Sequence, residues 1–178
     1  MMSVLNLIQS FIYIFILVFP YSSFSDVLIN VTSTMVDPAC NIRSENGESS
    51  ISINFGTLNV DVINKDNKNA EFSLYISDCN FNKNLSIIIN PKGTETINYE
   101  GKKILATNIS GLGIDFSEVT GGGSRYLEMN KAQIVHPERL NDTEYRVDLK
   151  TKLVSIIPTE NLELGVFFSV VTITINYF

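Results

Sequence analysis

Tryptophan is absent from this chain, histidine occurs once and cysteine only twice. The lone histidine, His136 in QIVHPERL, excludes a multi-histidine metal centre. No Ser–His–Asp spacing surrounds it, so it reads as an ordinary loop residue. Cys40 and Cys79 lie too far apart for a CxxC redox pair, and two thiols cannot complete a zinc site. Basic residues are also scarce. There are 13 Lys and Arg against 19 Asp and Glu, a net charge of −6, and Lys102-Lys103 is only a dipeptide. That balance argues against nucleic acid and against anionic membrane surfaces as partners. Gly121-Gly122-Gly123 lacks the GxxxxGK[ST] context of a phosphate cradle and reads as a hairpin loop. Glu160 and Glu163 read as a solvated loop rather than an acid–base pair. Asn30, Asn84, Asn108 and Asn141 each begin an Asn-x-Ser/Thr triplet, which arises by chance in an Asn-rich chain, so no sugar is assigned. No catalytic, cofactor or metal residues are assigned, and the chain does not read as an enzyme.

The sequence is rich in short apolar runs. The first, FIYIFILVF at 11–19, is unbroken, and PYSSFS follows with small residues at Ser23 and Ser25. These are the apolar region and small-x-small site of a secretory signal peptide, and the run is too short to span a bilayer. Cleavage between Ser25 and Asp26 is expected, leaving one domain of about 150 residues, enough to bury a core of its own. Export exposes the two cysteines to an oxidising compartment, so a Cys40–Cys79 disulfide is expected.

Beyond the leader nearly everything reads as short strands punctuated by turn residues, without convincing 3.6-residue periodicity. SSISINFG (49–56) alternates Ile51, Ile53 and Phe55 with polar residues; EFSLYISDC (71–79) alternates Phe72, Leu74 and Ile76. LSIIIN (85–90) runs into a Pro91-Lys92-Gly93 turn signal. KILATN (103–108), LGIDFSEV (112–119) and the long EYRVDLKTKLVSI (144–156) follow, and VFFSVVTITINYF (166–178) carries the strongest strand signal. The pattern predicts an antiparallel β-sandwich.

The two ends of the chain are unbalanced. On the last strand Phe167, Ser169, Val171, Ile173, Ile175 and Tyr177 form a nearly apolar face, and no further strand follows to cover it. An unpaired edge beside an apolar flank is an aggregation hazard. At the other end DVLINVTSTMV (26–36) reads as a surplus strand ahead of the first cysteine. A spare strand at one end and a missing one at the other imply a strand made for a neighbour.

These features resemble the subunits of chaperone–usher pili. Gly165 is fourteenth from the C-terminus and Tyr177 penultimate, as in the family's C-terminal signature. DVLINVTSTMVDPAC (26–40) is similar to a pilin extension ending at the first disulfide cysteine, FSLYISDC (72–79) to the strand entering the second, and ATNISGLGIDF (106–116) to the family's mid-chain segment. The DV-INV start, INFG and ILATNI resemble the minor adaptor subunits of P-type pilus tips. The resemblance implies an all-β, incomplete immunoglobulin-like sandwich lacking its last strand. Its parts are a signal peptide (1–25), a donor-strand extension (26–39) and a pilin domain (40–178). It further implies polymerisation by donor-strand exchange, with Val27, Ile29, Val31, Ser33 and Met35 facing a neighbour's groove and Gly165, Phe167, Val171, Ile173, Ile175 and Tyr177 forming the site for a chaperone or donor. Ser33 departs from the glycine that pilin extensions usually carry seven residues before the cysteine. The implied partners are a periplasmic chaperone, an outer-membrane usher and neighbouring subunits, without nucleic acid, metal or cofactor. The implied location is a cell-surface fimbrium reached through the periplasm. The alternatives are a major rod pilin, a carbohydrate-binding adhesin and an immunoglobulin-like module outside the family; the single domain with its extension argues against a terminal lectin.

Overall fold

The computed structural model describes residues 32–33, 36–64 and 69–178. The chain divides into two units, Met1–Met35 and Val36–Phe178, and the fold is that of the second. The cleavage site Ser25/Asp26 and the expected donor positions Val27, Ile29, Val31 and Met35 lie outside the described residues; Ser33 is described and exposed.

Among the described residues eleven strands form two sheets. They are β1 (Asn41–Arg43), β2 (Asn69–Ser77), β3 (Leu85–Pro91), β4 (Thr96–Tyr99), β5 (Lys102–Ala106), β6 (Leu112–Glu118), β7 (Arg125–Leu127), β8 (Gln133–Val135), β9 (Glu138–Arg139), β10 (Glu144–Ser155) and β11 (Val171–Tyr177). The larger sheet runs β1-β2-β10-β6-β5-β4, with β7 on β6 and β9 on β10; the smaller runs β11-β3-β8. All pairings are antiparallel. This is the antiparallel β-sandwich that the alternation predicts, in the incomplete immunoglobulin-like form that the resemblance implies.

The reason lies in the period-two pattern. On β10 every second residue from Val147 to Leu153 points inward, and Val147, Leu149 and Leu153 are fully buried. Thr151 shares that face because its hydroxyl donates to the Ala70 carbonyl at 3.1 Å, so its own buried oxygen is satisfied. Leu85, Ile87 and Ile89 of β3 and Ile175 of β11 face them from the opposite sheet, closing one core. A smaller cluster of Ile63, Ile109, Leu112 and Leu162 sits at one end. Gly113 of β6 is needed for close approach: a Cβ there would lie 2.7 Å from both Ile104 Cδ1 and Ile97 Cδ1.

Two expected strands are corrected. SSISINFG forms no ladder; residues 49–55 run unpaired beside the sandwich, because no strand lies next to them among the described residues. The last strand is paired only over Val171–Tyr177, since its partner β3 ends at Pro91, opposite Val171. Pro91 thus belongs to the strand rather than the turn. It is tolerated because it falls at a position whose N–H the ladder does not use.

Candidate functional site

Cys40 and Cys79 form a disulfide (S–S 2.03 Å, Cα–Cα 4.7 Å) that fastens the start of β1 to the end of β2. Beyond β1 the chain turns at Ser44–Glu48, where the Ser44 N–H donates to the Glu48 carbonyl at 2.8 Å and the Ser44 hydroxyl accepts the Glu48 N–H at 3.0 Å. It then runs along the sandwich as the unpaired segment 49–55. Across from it runs 167–173, the approach to β11 and its first three residues. Between the two lies a groove of about 730 Å³. Its floor is apolar, formed by Phe72 and Leu74 of β2, Leu105 of β5, and Ile114 and Phe116 of β6. One end is closed by Phe55 and Phe167, whose rings are 6.1 Å apart and tilted by 42°.

The backbone of 166–178 shows why this side is open. The Phe178 N–H donates to the Asn84 carbonyl (2.9 Å), and the Lys92 N–H to the Val170 carbonyl (2.8 Å). Asn108 continues the pattern: its N–H and Nδ2 donate to the Phe168 and Val166 carbonyls, and its Oδ1 accepts the Phe168 N–H at 2.7 Å. All of these groups belong to even-numbered residues. Alternation in an antiparallel ladder then turns the N–H and C=O of Phe167, Ser169, Val171 and Ile173 toward the groove. β11 is the end strand of its sheet, so among the described residues no strand pairs with that edge. The Ser169 hydroxyl is satisfied inside the fold, donating to the Ala106 carbonyl at 2.8 Å and lying 3.0 Å from the Thr94 hydroxyl.

Of the residues expected at this site, Phe167, Val171 and Ile173 line the groove. Ile175 is buried in the core beneath, and Gly165 is exposed outside the lining. Tyr177 lies elsewhere, beside the disulfide. Its hydroxyl accepts the Asn80 N–H at 2.8 Å and donates to the Pro38 carbonyl at 2.7 Å. Next to it Asp37 accepts hydrogen bonds from Lys83 and, at 3.0 Å, from Asn80 Nδ2. The Lys83 bond, then the Asn80 bond, holds the Asp37 carboxyl below the usual carboxylate range.

The residues set aside as ordinary keep ordinary places. Glu160 and Glu163 are exposed, and Thr120–Gly122 forms a 3-10 turn with Gly121 at φ 67°. His136 is exposed, yet its N–H donates at 2.7 Å to the fully buried Glu118 carboxylate, which also lies 3.3 Å from Arg125 Nη1. Among the described residues no cluster of His, Cys, Asp or Glu has the makings of a metal site.

Among the described residues the domain is thus an antiparallel sandwich in which the edge of β11 lies free over an apolar floor. Residues 29–177 match the family model described as fimbrial protein, and the chain belongs to that family. It is therefore a cell-surface fimbrium protein. Among solved structures it is similar to the P pilus rod subunit PapA (17% identity, TM-score 0.53, 78% of this chain and 99% of that one). It is similar also to the P pilus adaptor subunit PapF (20% identity, TM-score 0.52, 80% and 98%). A third likeness is to a subunit of a chaperone–usher pilus studied for rod uncoiling (17% identity, TM-score 0.52, 89% and 99%). No curated protein matches the chain in sequence.

Proposed function

We propose that this chain is a structural, non-enzymatic subunit that polymerises by donor-strand exchange, in a minor or adaptor position near the tip, and so supports cell adhesion. In this reading the leader is removed between Ser25 and Asp26 during export. A periplasmic chaperone first supplies a strand to the groove, and at the outer-membrane usher the extension of another subunit replaces it. Residues 26–36 are in turn given to the next subunit's groove, with Val27, Ile29, Val31 and Met35 as plugs and Ser33 at the small position. The observation that carries the reading is the free edge of 167–173 above an apolar floor. An added strand would gain main-chain hydrogen bonds there and bury alternate side chains. Four such side chains contribute on the order of 6 to 10 kcal/mol of apolar transfer, before the entropy of ordering the strand is subtracted. The adaptor position rests on the DV-INV, INFG and ILATNI likenesses; the rod position is the rival reading, since PapA and PapF resemble the chain to a similar degree.

The test is strand exchange with a peptide of residues 26–36 against chaperone-bound neighbouring subunits. The native peptide is expected to displace the chaperone. Val31→Asp should fail, because its carboxylate would be buried without a partner. Ser33→Leu should fail by overfilling a tight site. If both variants exchange as well as the native peptide, residues 26–36 are not a donor strand.

A further inference from the structure

The contacts of Tyr177 have no part in lining the groove, yet they join three distant stretches of chain. They tie the penultimate residue to Asn80, next to the disulfide, and to Pro38, two residues before Cys40. Asp37 adds a second tie to the same loop through Lys83 and Asn80. Lys83 Nζ also lies 5.8 Å from the centre of the Tyr177 ring, so ring, ammonium and carboxylate form one assembly. The residue after this latch toward the N-terminus, Val36, is 84% exposed.

The arrangement has a mechanical meaning. The disulfide alone would fix the chain at one point, Cys40, and leave the preceding residues free to pivot. A second anchor at Asp37–Pro38 converts a point into a direction. The dipeptide is stiff as well: proline fixes its own φ and confines the residue before it to extended conformations. We infer that Tyr177 is a positioning residue for donation: with Asp37, Asn80 and Lys83 it sets the bearing at which residues before Val36 leave the body. This rests on the reading that residues 26–36 are donated. It assigns Tyr177 to the giving end of the subunit, whereas its place on β11 suggests the receiving end.

The two roles separate experimentally, because the hydroxyl can be removed while the ring stays. Tyr177→Phe and Lys83→Met are made in the mature chain, produced with its chaperone. Two rates are measured for each: acceptance of a donor-strand peptide by this subunit, and donation by this subunit to a chaperone-bound neighbour. Acceptance should stay within about twofold of wild type, while donation slows roughly three- to tenfold, the factor appropriate to one net hydrogen bond. In parallel, spin labels at Ser33→Cys and Thr143→Cys report the bearing, and Tyr177→Phe should broaden their distance distribution. An unchanged distribution with unchanged donation overturns the inference. So does a parallel fall in acceptance and donation, which would make Tyr177 a part of the groove. If even the wild-type subunit fails to donate, the donor reading fails instead, and the spin-label distances still decide whether the latch exists.

Discussion

Phe167→Ala separates the groove from the core around it. Phe167 packs against both hydrophobic clusters and closes the groove end against Phe55. In the empty subunit it is mostly but not fully buried. Truncating a fully buried phenylalanine costs about 3 to 5 kcal/mol, so short of full burial the cost should be about 3 kcal/mol. An inserted strand would cover the rest of the ring, and in the filled subunit the same change should cost about 4 kcal/mol. The difference, about 1 kcal/mol, falls on affinity for the strand and corresponds to roughly fivefold weaker binding. Ile87→Ala is the control. Ile87 is fully buried and does not line the groove, so its loss of about 2 to 5 kcal/mol should be equal in both states and leave affinity unchanged. The assay is titration of each refolded mature variant with the cognate chaperone, alongside denaturant unfolding of the free and bound forms. If Phe167→Ala binds indistinguishably from wild type, or Ile87→Ala weakens binding as much, groove filling is not what the chaperone provides.

Three further outcomes are expected. Replacing Cys40 and Cys79 by serine opens a loop of 39 residues' separation and should cost about 4 kcal/mol in the chain-entropy model, read as a fall in unfolding midpoint; unreduced exported protein should contain no alkylatable thiol. Gly113→Ala pushes a methyl into Ile104, Ile97 and the Leu105 carbonyl and should destabilise by about 1 to 3 kcal/mol, read by thermal unfolding. Asp37 has its folded-state pKa depressed by Lys83 and Asn80, so its contribution is present above the ordinary carboxylate pKa and is lost as pH falls through the lower folded value. A carboxyl-carbon NMR titration should place the Asp37 midpoint below that of a free aspartate, and Lys83→Met should return it toward the ordinary value.

The strands that alternation disclosed are those with one buried face. β2, β3, β6 and β10 carry apolar residues at every second position because each packs on the shared core. The strands β4, β7, β8 and β9 went unread, since runs of two to four residues, many of them exposed, leave too little pattern. SSISINFG misled in the opposite sense. Its alternation is real, but alternation reports a half-buried face and says nothing of ladder partners, and this segment's apolar side borders the groove. The apolar face of the last strand was legible in its own alternation. The groove floor was not, because it draws Phe72, Leu105, Ile114 and Phe116 from strands whose adjacency only the register reveals. Of the latch only the penultimate Tyr177 stood out: Asp37, Asn80 and Lys83 are scattered polar residues until β11 reaches the disulfide.

An empty groove with an apolar floor should collapse unless its walls are held apart, and the placement of the fixed points shows how this is avoided. The smaller-sheet wall is rigid along its length, since β3 and Asn108 occupy one edge of 166–177. The opposite wall, 49–55, has no ladder and is held at its ends. At one end β1 is paired with β2 and bolted by the disulfide, with the Ser44–Glu48 turn redirecting the chain. At the other, Phe55 leans on Phe167. A segment pinned at both ends and unpaired between them can admit a strand alongside it without breaking any existing backbone bond. The disulfide therefore does more than limit the unfolded chain: it holds the start of β1, and so the stretch that leads into 49–55, against the end of β2.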